Sequence, residues 1–147
     1  MKKSYSLLCC IVIALALIST GCKKKVKPLS ERIAKAWTAE SVKEGSATVY
    51  TRGGSNNITP DYSNLRLDIS GSSVSYTEKD RTTFVGTWEL EGESKLILKG
   101  LNPQPTGSGG VVEFSIVSID DAKLIIKNLK GSPKTGNTIN EYTFTNP

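Results

Sequence analysis

Residues 64–70 read Asn-Leu-Arg-Leu-Asp-Ile-Ser and alternate polar and apolar side chains without a slip. In an extended chain successive side chains point to opposite sides, so Leu65, Leu67 and Ile69 share one face and Asn64, Arg66, Asp68 and Ser70 the other. The stretch is a half-buried strand with one oily face that something else must cover.

The same period runs through the rest of the chain towards the C-terminus. It turns Val74 and Tyr76 inward, then Phe84, Trp88 and Leu90 around Gly86, then Leu96 and Leu98. Val112, Phe114 and Ile116 follow, then Leu124 and Ile126, then Tyr142 and Phe144. Towards the N-terminus, one strand begins near Trp37 and another crosses Ser46 to Arg52, for eight or nine in all.

Short turn signals separate them at Gly71-Ser72, Glu78 to Arg81, Gly92 and Asp120-Asp121, the pattern of antiparallel hairpins. Longer loops span Gly53 to Ser63, Asn102 to Gly110 and Gly131 to Asn137, and loops of this kind gather at the open end of a barrel. One helix is expected over Pro28 to Trp37, with Ser30 as N-cap and Leu29, Ile33, Ala34 and Trp37 at helical spacing, placed to plug one end.

Many short strands with one oily face each bury it best by closing into a ring, which also removes the edges. The expected fold is therefore all-β, a small antiparallel up-and-down β-barrel of about eight strands with one short N-terminal helix. The competing solution is a β-sandwich.

The first residues follow a different logic. Met1 is followed by Lys2 and Lys3, an uncharged run from Leu7 to Ile18, and Ser19-Thr20-Gly21 before Cys22, the layout of a secretory signal. The oily run falls short of the roughly 20 residues that span a bilayer.

Ser19-Thr20-Gly21-Cys22 resembles the lipobox of bacterial lipoproteins, with Ser19 where a large aliphatic residue is usual. That resemblance implies cleavage before Cys22 and acylation of its thiol and new amino group by palmitate-type chains. The chain then divides into a signal peptide (1–21), an acylated cysteine with a Lys-rich tether (22–28) and one domain (29–147). Of the three cysteines, Cys9 and Cys10 leave with the signal, and acylated Cys22 leaves no free thiol.

Composition needs the same division. The whole chain is +5, with 19 basic and 14 acidic residues. Six of the lysines, at 2, 3, 23, 24, 25 and 27, precede the domain, which is left near neutral with 13 basic residues. The basic run suits a tether beside anionic head groups, and no nucleic-acid partner is expected. In the lipoproteins that the Cys22 region resembles, an acidic cluster after the cysteine accompanies surface export; lysines stand there instead, so the resemblance implies an anchor in the outer membrane that faces the periplasm.

Trp37 followed by a strand, then Phe84-x-Gly86-x-Trp88-x-Leu90, Ser94-x-Leu96-x-Leu98 and a terminal Tyr142-x-Phe144 resemble the lipocalin-like lipoproteins of Bacteroidetes-type bacteria. The first strand carries Lys35-Ala36-Trp37 in place of the Gly-x-Trp of classical lipocalins. The resemblance implies a barrel domain on a lipid anchor and a small apolar ligand as partner, with no cofactor.

The domain has no histidine, which removes His-based acid–base chemistry, Ser-His and Cys-His nucleophiles and His-rich metal sites. Glu89, Glu91 and Glu93 lie on or beside a hairpin as solvated charges, and Asp120-Asp121 reads as a turn rather than a calcium loop. Gly107 to Gly110 lacks the lysine and helix of a phosphate cradle. The expectation is a non-enzymatic protein without a metal.

Trp37, Tyr76, Phe84, Trp88, Phe114, Tyr142 and Phe144 are the candidate ligand-binding residues of the barrel interior, and the same rings equally suit a packed core. Two functions follow: a membrane-anchored module that binds a small apolar or amphipathic molecule, or an interaction module that meets another envelope protein or glycan through its loops or outer face.

Overall fold

A computed structural model describes residues 26–146. The expected signal segment and Cys22 lie outside the described residues. A short helix, α1 (Leu29–Ile33), is followed by β1 (Ala36–Glu44), β2 (Ala47–Thr51), β3 (Arg66–Ser70) and β4 (Ser73–Thr77). β5 (Thr83–Glu91), β6 (Lys95–Asn102), β7 (Val112–Ile119), β8 (Lys123–Asn128) and β9 (Asn140–Thr145) complete the domain. Single 3-10 turns occupy Pro60–Asn64 and Pro133–Thr135.

Each strand from β3 to β9 pairs antiparallel with the next, and β9 returns to β1. Eight strands therefore close, which settles the barrel over the sandwich. β2 is the extra one. The first residues of β1, Ala36 to Thr38, pair with Arg66 to Asp68 of β3, and Ser41 to Glu44 pair with β2 on the same edge. The other edge of β1 pairs with β9. Register shifts at Ala39/Ser41, Val85/Thr87 and Ile116/Ser118 supply the bends a small ring needs.

Gly86 sits at one of these bends, and a Cβ there would run into the Lys99 carbonyl on β6. Only glycine lets the two backbones approach so closely. Ile97 is buried although it lies outside the core cluster. Its cross-strand neighbours Glu89 and Glu113 form ion pairs with Lys99 and Lys95 that flank it.

The opening heptad keeps its pattern, since Leu65, Leu67 and Ile69 are buried and Arg66, Asp68 and Ser70 exposed. β3 itself begins only at Arg66, because the 3-10 turn before it includes Asn64. Inside the ring, Phe114 lies 6.1 Å from Tyr76 and 6.2 Å from Tyr142 between ring centroids, and Tyr142 lies 6.1 Å from Phe144. Aromatic rings tilted and edge-on fill the middle of the barrel.

The expected helix is shorter than Pro28 to Trp37. It covers Leu29–Ile33, Pro28 holds the N-cap position, and Ser30 makes no capping bond. Ala34 leaves helical geometry at ψ 77, which frees Trp37 to enter β1. Pairing of β1 with β3 and β9 outweighs the weak preference of a single helical turn. The helix closes one end as expected, with Ile33 fully buried, Arg32 Nη1 donating to the Ile119 carbonyl at 3.1 Å and Trp37 Nε1 donating to the Ile33 carbonyl at 2.8 Å.

Candidate functional site at the barrel mouth

The opposite end carries the loops after β2, β4, β6 and β8, and there the inward phase of four strands turns polar. Glu44 follows Val42 on β1, Glu78 follows Tyr76 just past β4, Asn128 follows Ile126 on β8, and Asn140 precedes Tyr142 on β9. Each continues the inward row of its strand by one step of two. Together they form a polar layer above the aromatic core.

Three tyrosines join the two layers, with rings in the core and hydroxyls in the polar layer. Tyr62 Oη donates to Glu44 Oε1 at 2.7 Å, and Lys79 Nζ contacts the same oxygen at 3.2 Å while lying 4.9 Å from the Tyr62 ring centroid. Asn140 is fully buried, yet its Nδ2 donates to Tyr142 Oη at 3.2 Å and its Oδ1 accepts from Thr138 Oγ1 at 2.7 Å. Burial above all pushes the phenols upward, Tyr142 to about 12 and Tyr76 well beyond the ordinary range. Tyr62 is also raised by burial first, with Tyr142 and Glu44 adding to it.

A clasp joins two loops over this layer. Lys134, in the β8–β9 loop, pairs with Glu78 and, at 2.7 Å, with Asp80 Oδ2 in the β4–β5 loop. The hydrogen bond from Lys134, and then those from Thr82, hold the Asp80 carboxyl at about 2 against an ordinary 3.8, despite a partial offset from burial. The pKa is lowered in the folded state, so the stabilisation is complete above about pH 4 and is lost as the pH falls towards 2. The Thr82 amide, which donates to Asp80 Oδ1 at 3.0 Å, should report that step in an NMR titration, and Asp80→Asn should abolish it. An unchanged step in the variant would assign it to another group.

Beneath the clasp lies a cleft of about 280 Å³ between the β6–β7 and β8–β9 loops. Tyr76 and Tyr142 form its floor, Pro105, Val111, Val112 and Pro133 its oily walls, and Glu78, Glu113, Lys134 and Asn128 its polar edge. The β6–β7 loop is held by Ser108 Oγ, which donates to the Pro105 carbonyl at 2.7 Å and accepts from Gly110 N at 3.0 Å. In the β8–β9 loop, a Cβ on Gly131 would run into the Asn137 carbonyl. Asn128 Oδ1 is buried and has no donor among the described residues. A buried acceptor left so costs about 1–3 kcal/mol.

Of the seven aromatic candidates, the cleft brings together Tyr76 and Tyr142. Trp37, Phe84, Phe114 and Phe144 are buried in the core below it. Trp88 is half-buried at the closed end, its Nε1 donating to the Gly71 carbonyl at 2.9 Å. The Glu78–Arg81 segment, read as a turn, supplies part of the mouth, and Glu44, Asn128, Lys134 and Asn140 were not singled out by sequence. Their signal was a polar residue in an inward row. Asp120 Oδ1 accepts from the backbone of Ala122 at 2.8 Å and Lys123 at 2.7 Å, which is a turn's work, and these bonds hold its carboxyl low. Glu89 and Glu91 form ion pairs with Lys99 and Lys95.

No protein-family model matches the sequence, and no curated protein matches it. Among solved structures, a lipocalin-like protein from Bacteroides uniformis superposes with a TM-score of 0.52 at 14% identity, covering 79% of this chain and 99% of its own. The fold is lipocalin-like. The identity is low, and the likeness rests on the lipocalin-like barrel that both chains close.

Proposed function

We propose that this protein is a non-enzymatic lipoprotein of the bacterial envelope, anchored through acylated Cys22 in the outer membrane, whose lipocalin-like barrel binds a small amphipathic molecule at its mouth. The observation that carries the binding half is the cleft of about 280 Å³, close to the lower end of ligand sites, with oily walls and a few convergent polar groups. The filled interior below moves the site from the barrel axis to the rim. Native mass spectrometry of protein from its own host should show a small molecule bound one to one. Protein that is bare in every preparation would count against the reading.

The anchoring half draws on the lipobox-like residues and on where the chain enters the barrel. α1 closes the end opposite the mouth, and Cys22 stands six residues before Pro28, a reach of about 20 Å at most. An acylated Cys22 would hold the closed end near the bilayer and turn the mouth to the aqueous side. Fatty-acid labelling should mark the wild type and leave Cys22→Ala unlabelled. Equal labelling of both would remove the anchor.

A further inference from the structure

Resting on the reading of the mouth as a binding site, we propose that the cleft selects a compact, uncharged molecule whose N–H or O–H group donates to Asn128 Oδ1. Three features define the class. Depth is the first: Phe114 closes the floor against Tyr76 and Tyr142, at 6.1 and 6.2 Å between centroids, so a long acyl chain has no channel to descend. The ligand must fit within about 280 Å³.

Charge is the second. Glu78 is matched by Lys134, and Glu113 by Lys95 at 2.8 Å, while Lys130 extends into water. An ionised ligand would shed its hydration and meet charges already neutralised by neighbours, a poor exchange. A neutral ligand avoids that loss.

Asn128 is the third. It lies in the inward row of Leu124 and Ile126 and pairs across to Phe114, so it stands on the polar edge of the cleft next to the aromatic rings. Leu129 N donates to the Glu113 carbonyl at 3.0 Å and fixes the strand end that carries it. Its oxygen, buried and without a donor among the described residues, is an acceptor waiting for a proton donor. The oily body of the ligand would rest on Tyr76, Val112 and Pro105.

Four probes test this by NMR on the labelled domain: benzamide, benzoate, methyl benzoate and laurate. The first three share a ring and differ in donor and charge. Benzamide should shift amides of the β6–β7 and β8–β9 loops saturably and bind about tenfold tighter than methyl benzoate or benzoate. In Asn128→Leu that preference should vanish. Benzoate or laurate binding the cleft as tightly as benzamide, or a preference that survives in Asn128→Leu, would overturn the selectivity and leave the mouth as a binding site. No shift in the cleft from any probe would overturn both. The ranking in the wild type decides the question even where the variant does not fold.

Discussion

Trp37→Ala is expected to lower the free energy of unfolding by about 3–5 kcal/mol, the range for deleting a large aromatic ring from a packed core. Trp37 has no exposed surface, and its indole N–H holds the last carbonyl of α1. The truncation therefore leaves a void and frees the plug. Trp88→Ala should cost about 1–2 kcal/mol, because that ring is only partly buried and loses mainly one hydrogen bond and part of its packing. Urea titrations of the two variants would measure the contrast. Equal losses would show that the fully buried ring beside the helix contributes no more than the partly buried one.

Raising the pH above 10 should unfold the barrel steeply. Tyr62, Tyr76 and Tyr142 expose 3%, 4% and 4% of their surface, and burial raises all three phenols, Tyr142 to about 12. In the unfolded chain each ionises near pH 10. Their folded pKa values lie higher, so the stabilisation is complete below pH 10 and is lost as the pH climbs towards and past 12. Each phenol adds about 1.4 kcal/mol per pH unit, and three together about 4. Two such units are comparable with the whole stability of an ordinary domain. Tyr76→Phe should reduce the slope by about a third, read from denaturation midpoints at successive pH values. A slope that does not change would show that Tyr76 ionises within the folded barrel.

Period-two alternation made most of the barrel legible, because a ring that buries one face of every strand imposes that pattern from end to end. Leu67, Ile69, Val74, Leu96, Phe114 and Leu124 all lie where the alternation puts them. The helix end was not legible. No glycine or proline follows Ile33, and what stops the helix is the pull of β1 into the sheet, a contact with residues far along the chain.

The mouth was half legible. Aromatic residues drew attention to the interior, yet rings large enough to line a cavity are also large enough to fill one, and at Phe114 and Phe144 they fill it. The residues that distinguish the mouth are Glu44, Glu78, Asn128 and Asn140. Each sits at a strand end, where a polar residue normally reads as the beginning of a turn, and only the common end of the barrel gathers them.

Closure by β9 has a consequence for how the protein is made. Thr38 of β1 meets Thr145 of β9, so the seam joins the first strand of the domain to the last. Until β9 is available, a nascent chain carries two unsealed ribbon edges and an oily lining open to its surroundings. A chain that still lacks β9 therefore has to be kept from its neighbours, by a holding chaperone or by speed, because partial synthesis leaves it without a finished shell.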